Sequence, residues 1–106
     1  MARIFVSYSR SDEPFVRRLV ADLRANGVDV WMDVDNIPYG MDWDKAIQSG
    51  LDQSDTMLLV LSPNSVASDE VSREWNYFLN QKKKLIPILY IATTIPYRLG
   101  QTQYID

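Results

Sequence analysis

A chain of 106 residues with 46% hydrophobic content can bury one core and leaves no room for a second domain. Eleven basic against fourteen acidic residues give a net charge of −3, the wrong sign for holding nucleic acid by phosphate neutralisation. With neither cysteine nor histidine there is no disulfide, no thiol chemistry, no histidine-based triad and no expected metal site, so any chemistry must rest on carboxylates.

In chain order, Ile4-Phe5-Val6 is a short apolar run closed by Ser7, Tyr8, Ser9, Arg10, Ser11 and Asp12, which predicts a strand followed by a polar loop. Ser11 or Asp12 can cap a helix there and Pro14 suits its first turn. Phe15, Val16, Leu19, Val20 and Leu23 then recur at helical spacing until Asn26-Gly27 stops them. Val28 to Met32 predicts a second strand, and Asp33 to Gly40 a loop in which Pro38 fixes φ and Gly40 permits backbone shapes that other residues resist. Trp43, Ala46, Ile47 and Leu51 stand at i, i+3, i+4 and i+8, the pattern of a short amphipathic helix ending around Gly50 to Ser54.

Met57-Leu58-Leu59-Val60-Leu61 is the longest apolar stretch, far too short to span a bilayer and suited to a central strand with helices over both faces. Ser62-Pro63-Asn64 breaks it, Ser65 or Ser68 can cap the next helix, and Val71, Trp75, Phe78 and Leu79 form that helix's buried stripe. Lys82, Lys83 and Lys84 read as its solvated basic end rather than as a phosphate contact. Leu85 to Tyr90 is a fourth strand, which tolerates Pro87 only with some distortion or near an edge, and Tyr104-Ile105-Asp106 reads as the beginning or middle of a fifth. The chain is expected to be a single domain over 1–106 that lacks its closing C-terminal helix and forms the N-terminal module of a longer protein. With no secretory h-region near Met1 and no membrane contact, it is expected in the cytoplasm.

Strands alternating with helices predict an α/β fold, a flavodoxin-like open parallel five-stranded sheet of order 2-1-3-4-5 with helices on both faces and ligands beyond the carboxyl ends of the strands. No G-x-G-x-x-G follows the first strand, and neither a phosphate-binding G-x-x-x-x-G-K-[ST] loop nor a G-x-S-x-G elbow occurs. A phosphoacceptor receiver would put an acidic pair after the first strand and an aspartate at the end of the third, where this chain has Ser7-Tyr8 and Ser62.

Four segments together resemble the Toll/interleukin-1 receptor (TIR) domains, bacterial type. They are Ile4-Phe5-Val6-Ser7-Tyr8-Ser9-Arg10, Val30-Trp31-Met32-Asp33 with its Pro38-to-Gly40 loop, Leu59-Val60-Leu61-Ser62-Pro63, and Ser68-x-x-Val71-x-x-Glu74-Trp75. The resemblance implies cleavage of nicotinamide from NAD+, which enters as substrate with no further cofactor, giving ADP-ribose or a cyclic isomer in antiphage immunity. The alternative within the family is a non-catalytic module for contacts between TIR domains. By resemblance Glu74 is the catalytic carboxylate, and Tyr8, Ser9, Arg10, Asp33, Trp43 and Ser68 are substrate-side residues. Ile37, Pro38, Tyr39 and Gly40 form the loop for self-association with other TIR domains. From the residues alone, Glu74 is a surface glutamate favoured by the helix dipole, Asp33 a brace for its loop, Ser68 a cap and Trp43 a core residue. One departure stands out: many active members carry an aromatic residue four positions before the glutamate, and here that position is Glu70.

Overall fold

The computed structural model describes residues 3–33, 40 and 42–101. Strands β1 (Arg3–Ser7), β2 (Asp29–Trp31), β3 (Thr56–Leu61) and β4 (Lys84–Leu89) form one parallel sheet in the order β2-β1-β3-β4. This order agrees with the first four positions of the predicted 2-1-3-4-5. The described residues thus give four strands instead of five, and the expected fifth at Tyr104-Ile105-Asp106 lies outside them. The chain runs outward from β1 to β2 and then returns past β1 to β3. The carboxyl ends of β1 and β3 therefore flank the point where the winding reverses, which is where such sheets form a crevice.

Side-chain parity divides the core into two layers. Phe5, Trp31, Met57, Leu59, Leu61 and Leu85 face one way and pack under α2 (Trp43–Gln53) and α4 (Asp69–Asn80), with Val71, Trp75 and Phe78 as the buried stripe of α4. Val6, Tyr8, Val30, Met32, Leu58 and Val60 face the other way, against Val16 and Val20 of α1 (Glu13–Ala25). The continuous apolar character of β3 follows from this, because both of its faces are covered. Pro87 is buried on β4, which pairs with β3 on one side and with no described strand on the other, so its missing N–H costs no bond in the described ladder.

The helix boundaries follow local chemistry. Asp42 caps α2, its carboxylate accepting from the Lys45 amide at 3.3 Å. The segment after β3 forms two helices where one was expected. Ser62 and Ser65 make a reciprocal capping box around the single turn α3 (Pro63–Val66), and Ser68 then caps α4 by accepting from the Val71 amide at 3.2 Å. Asp12 occupies the N-cap position of α1 without capping it, because its buried carboxylate accepts instead from Ser62 Oγ and ties the start of α1 to the end of β3. Lys83, expected to be solvated, donates to the carbonyls of Leu51 (3.0 Å) and Ser54 (2.9 Å), closing the C-terminus of α2.

Gly50 lies inside α2 and does not end it. A Cβ built there would stand 2.7 Å from Cε2 of Trp31, whose ring is stacked at 4.8 Å on Phe5 and cannot retreat without disturbing the core. Gly50→Val is therefore expected to destabilise the fold by about 1–3 kcal/mol, the usual penalty for overpacking, read as a lowered Tm in a thermal melt. An unchanged Tm would mean that the α2 to β2 contact is looser than this geometry.

Candidate active site

Beyond the carboxyl ends of β1 and β2, a cleft of about 200 Å3 is lined by Tyr8, Ser9, Arg10, Asp33, Ser68, Glu70, Val71 and Glu74, with Phe5 and Val6 beneath. The residues reach it for simple reasons. Ser7 ends β1 on the same face as Phe5, pointing at α4, while Tyr8 takes the opposite parity. Glu74 lies one position before Trp75 on α4, beside the buried stripe, so its chain turns inward at the edge of the helix. Ser9 starts the 3-10 turn Arg10–Asp12, its hydroxyl accepting from the Ser11 amide at 3.3 Å.

Ser7 Oγ donates to Glu74 Oε1 at 2.7 Å. Removal from water is the largest influence on this carboxyl and raises its pKa to about 7. The Ser7 hydrogen bond opposes that shift, and the charges of Glu70 and Asp33 reinforce it. Across the cleft, Asp33 accepts from Tyr8 Oη at 2.8 Å and from Arg10 Nη2 at 3.0 Å. Burial, then the bond to Asp33 and that carboxylate's charge, push the Tyr8 hydroxyl well above its ordinary value, so it remains a neutral donor. Tyr8→Phe is expected to cost about 1.5–3 kcal/mol in urea unfolding, the worth of a hydrogen bond to a charged acceptor. A loss near zero would show that Asp33 is held adequately by Arg10 alone.

Trp43 departs from the core reading. The residue is 42% exposed at the first position of α2, its ring under the Arg10 guanidinium at 5.0 Å. It does not line the cleft and touches it only through Arg10. Of the self-association residues, Gly40 adopts φ +87, a shape open to glycine, while Ile37, Pro38 and Tyr39 lie outside the described residues. The remaining expected residues Tyr8, Ser9, Arg10, Asp33, Ser68 and Glu74 do converge on the cleft, although Ser68 also spends its hydroxyl on the cap of α4. Ser7 was not among the expected site residues. The available signal was strand parity, which sets it on the face of β1 that α4 covers.

A second cleft of about 250 Å3 opens on the other side of Glu74, between α2 and α4, where Ile47 and Leu51 give an apolar floor and Arg73 a cation. Tyr77, hydrogen-bonded to Gln48 and Asp52, closes its far end. Glu70 and Glu74 line both clefts. Each is smaller than the roughly 300–1,000 Å3 usual for a bound small molecule, and together they fall within that range. Among the described residues no group of carboxylates is placed to hold a metal ion.

The sequence from residue 4 to residue 106 matches the TIR domain family. The chain belongs to that family. A probable 2′ cyclic ADP-D-ribose synthase, TcpO, from Methanobrevibacter olleyae is 34% identical over 94 residues, 85% of this chain and 28% of that protein. The 2′ cyclic ADP-D-ribose synthase BtTIR from Bacteroides thetaiotaomicron is 30% identical over 94 residues, 84% of this chain and 33% of that protein. The chain thus spans a third or less of the length of these relatives. The TIR domain of the Toll-related receptor TRR-2 from Hydra magnipapillata superposes with a TM-score of 0.90 at 23% identity, over 97% of this chain and 82% of that one. A 2-deoxyribosyltransferase from Bacillus psychrosaccharolyticus superposes with a TM-score of 0.79 at 14% identity, over 99% and 86%. At these identities the structural likeness is one of fold. No helix among the described residues of this TIR domain is long and apolar enough to cross a membrane.

Proposed function

We propose that this TIR domain cleaves the nicotinamide–ribose bond of NAD+, with Glu74 as the catalytic carboxylate. The observation that carries the reading is the environment of Glu74, an acid turned into a cleft at the crevice end of the sheet, desolvated to a pKa of about 7 and held by Ser7. The relatives named as 2′ cyclic ADP-D-ribose synthases support it, since that product is NAD+ without its nicotinamide.

The chemistry suits a site with one inward carboxylate. When the C1′–N bond breaks, its electron pair goes to the pyridinium nitrogen and nicotinamide leaves as a neutral molecule, so no acid is needed to expel it. The ribosyl C1′ becomes an oxocarbenium-like cation, captured by water or by a hydroxyl of the same ADP-ribose with loss of one proton. What the protein must supply is a negative charge near C1′, fixed beforehand in a site that excludes water, together with contacts to the rest of the dinucleotide. Glu74 supplies the charge and Ser7 fixes its orientation. Tyr8, Ser9, Asp33 and Ser68 offer polar groups to the ribose side, and Arg10 offers a cation to the pyrophosphate. Trp43 stands behind Arg10 and holds its guanidinium from outside the cleft. The second cleft gives the extended substrate somewhere to continue past Glu74.

In this reading the domain acts in bacterial antiphage immunity, in the cytoplasm, as one unit of a longer protein. Contacts between copies run through the loop of Ile37, Pro38, Tyr39 and Gly40 and raise activity. Concentrated protein, held in proximity by a fused oligomerising tag, is incubated with NAD+ and free nicotinamide is measured. Time-dependent release supports the reading. No release at high concentration would leave a non-catalytic module for TIR association.

A further inference from the structure

Breaking the glycosidic bond settles only half of the reaction, because what captures the cation decides the product. The first cleft contains three carboxylates, Asp33, Glu70 and Glu74. Glu74 is turned inward and bonded to Ser7, and Asp33 accepts from both Tyr8 and Arg10. Glu70 differs from both. Its side chain is exposed, and among the described residues no hydrogen bond or ion pair engages it. It lies one helical turn before Glu74 on α4, about 6 Å along the axis and on nearly the same face, and it borders both clefts.

We infer that Glu70 is a second catalytic carboxylate, which takes the proton from the water that captures the ribosyl cation and so directs this chain toward linear ADP-ribose. The inference rests on the NAD+-cleaving reading of Glu74. The step balances: the water oxygen bonds to C1′, one of its protons passes to Glu70, and the sum is NAD+ and water giving nicotinamide, ADP-ribose and one proton. The two carboxylates have environments suited to different tasks. The desolvated one faces the developing cation, while the exposed one meets water on entry and returns its proton to bulk solvent. Asp33 cannot serve as that base without giving up the bonds that hold Tyr8 and Arg10 in place. Asp44 does not line the first cleft.

Positioned general bases contribute typically 10²–10⁴-fold, and toward so reactive a cation the lower part of that range or less applies. The test is the product ratio. Wild type and Glu70→Gln are incubated with NAD+, and nicotinamide, linear ADP-ribose and cyclic products are separated and quantified, with each product expressed per nicotinamide released. Mostly linear product from wild type, and a cyclic-to-linear ratio about tenfold higher in Glu70→Gln, supports the inference. Wild type giving only cyclic product, or an unchanged ratio in the variant, overturns it while leaving the role of Glu74 intact. A Glu70→Gln protein that folds but releases no nicotinamide also overturns it, because Glu70 would then act on bond cleavage and not on capture. Wild type that releases no nicotinamide removes the NAD+ reading and this inference with it.

Discussion

Glu74→Gln is expected to lower nicotinamide release from NAD+ by about a hundredfold or more, while leaving the native domain at least as stable as wild type. The amide is nearly isosteric and its oxygen can still accept from Ser7 Oγ, so the shape of the cleft survives and only the charge is lost. Removing one fixed electrostatic contact to a transition state costs about 10²–10³-fold, because a preorganised charge in a desolvated site is worth far more than one in water. Stability should move the other way. The carboxyl titrates near its ordinary value of 4.5 when unfolded and at about 7 when folded, so the folded state binds its proton more tightly. That contribution is fully present below about pH 4.5 and is lost as pH rises through about 7. Above this, the native state carries an ionised, poorly solvated acid. The shift corresponds to an upper bound of about 3 kcal/mol, reduced by the access that the open cleft gives to water. Denaturant unfolding should therefore show Glu74→Gln to be the more stable protein at pH 8 and equal to wild type at pH 4.5. A variant that is inactive and also less stable at pH 8 would make Glu74 a structural residue.

The reach of the sequence can be judged residue by residue. The run Met57 to Leu61 revealed the central strand because burial on both faces leaves a continuous signal, and the stripe Val71, Trp75 and Phe78 revealed α4 because burial on one face leaves a periodic one. Helical spacing does not say whether a given turn lies over the sheet. Trp43 kept the spacing of Ala46, Ile47 and Leu51, yet as the first residue of α2 it stays out of the core cluster and its ring meets Arg10 instead. Gly50 stood in the sequence only within the expected end of α2, and its close approach to Trp31 depends on how the helix packs on the sheet, which spacing does not show. Asp12, a candidate cap by type, is diverted by a serine 50 residues later. The site was legible in its acids and less so in its supports. Family resemblance pointed to Glu74, but the bond from Ser7 spans 67 positions and depends on register between a strand and a helix. Polar contacts of that range leave no periodic trace in sequence.

The same acid sets an expected pH profile. For wild type, kcat/KM toward NAD+ should rise about tenfold per pH unit below pH 7 and level off above it, a span of about a hundredfold between pH 5 and pH 8. The sign follows from the chemistry, since the carboxylate, and not the neutral acid, stabilises a developing cation. Assignment is unusually direct here, because the chain has no histidine and no cysteine, and so no other side chain whose ordinary pKa falls in that window. The groups facing Glu74 act in opposite directions. Ser7 from β1 and the charge of Arg73 favour the ionised form, while Glu70 one turn earlier and Asp33 after β2 disfavour it. Bound substrate adds a pyridinium cation to this balance, which favours the carboxylate. The inflection in kcat, which reports the complex, should accordingly lie at lower pH than the inflection in kcat/KM, which reports the free protein. In Glu74→Gln both limbs should vanish and leave a flat residual rate. A wild-type profile that is flat from pH 5 to pH 8 would mean that the group whose charge matters is already ionised at pH 5. That outcome would overturn the assignment of Glu74 as a desolvated acid with a raised pKa.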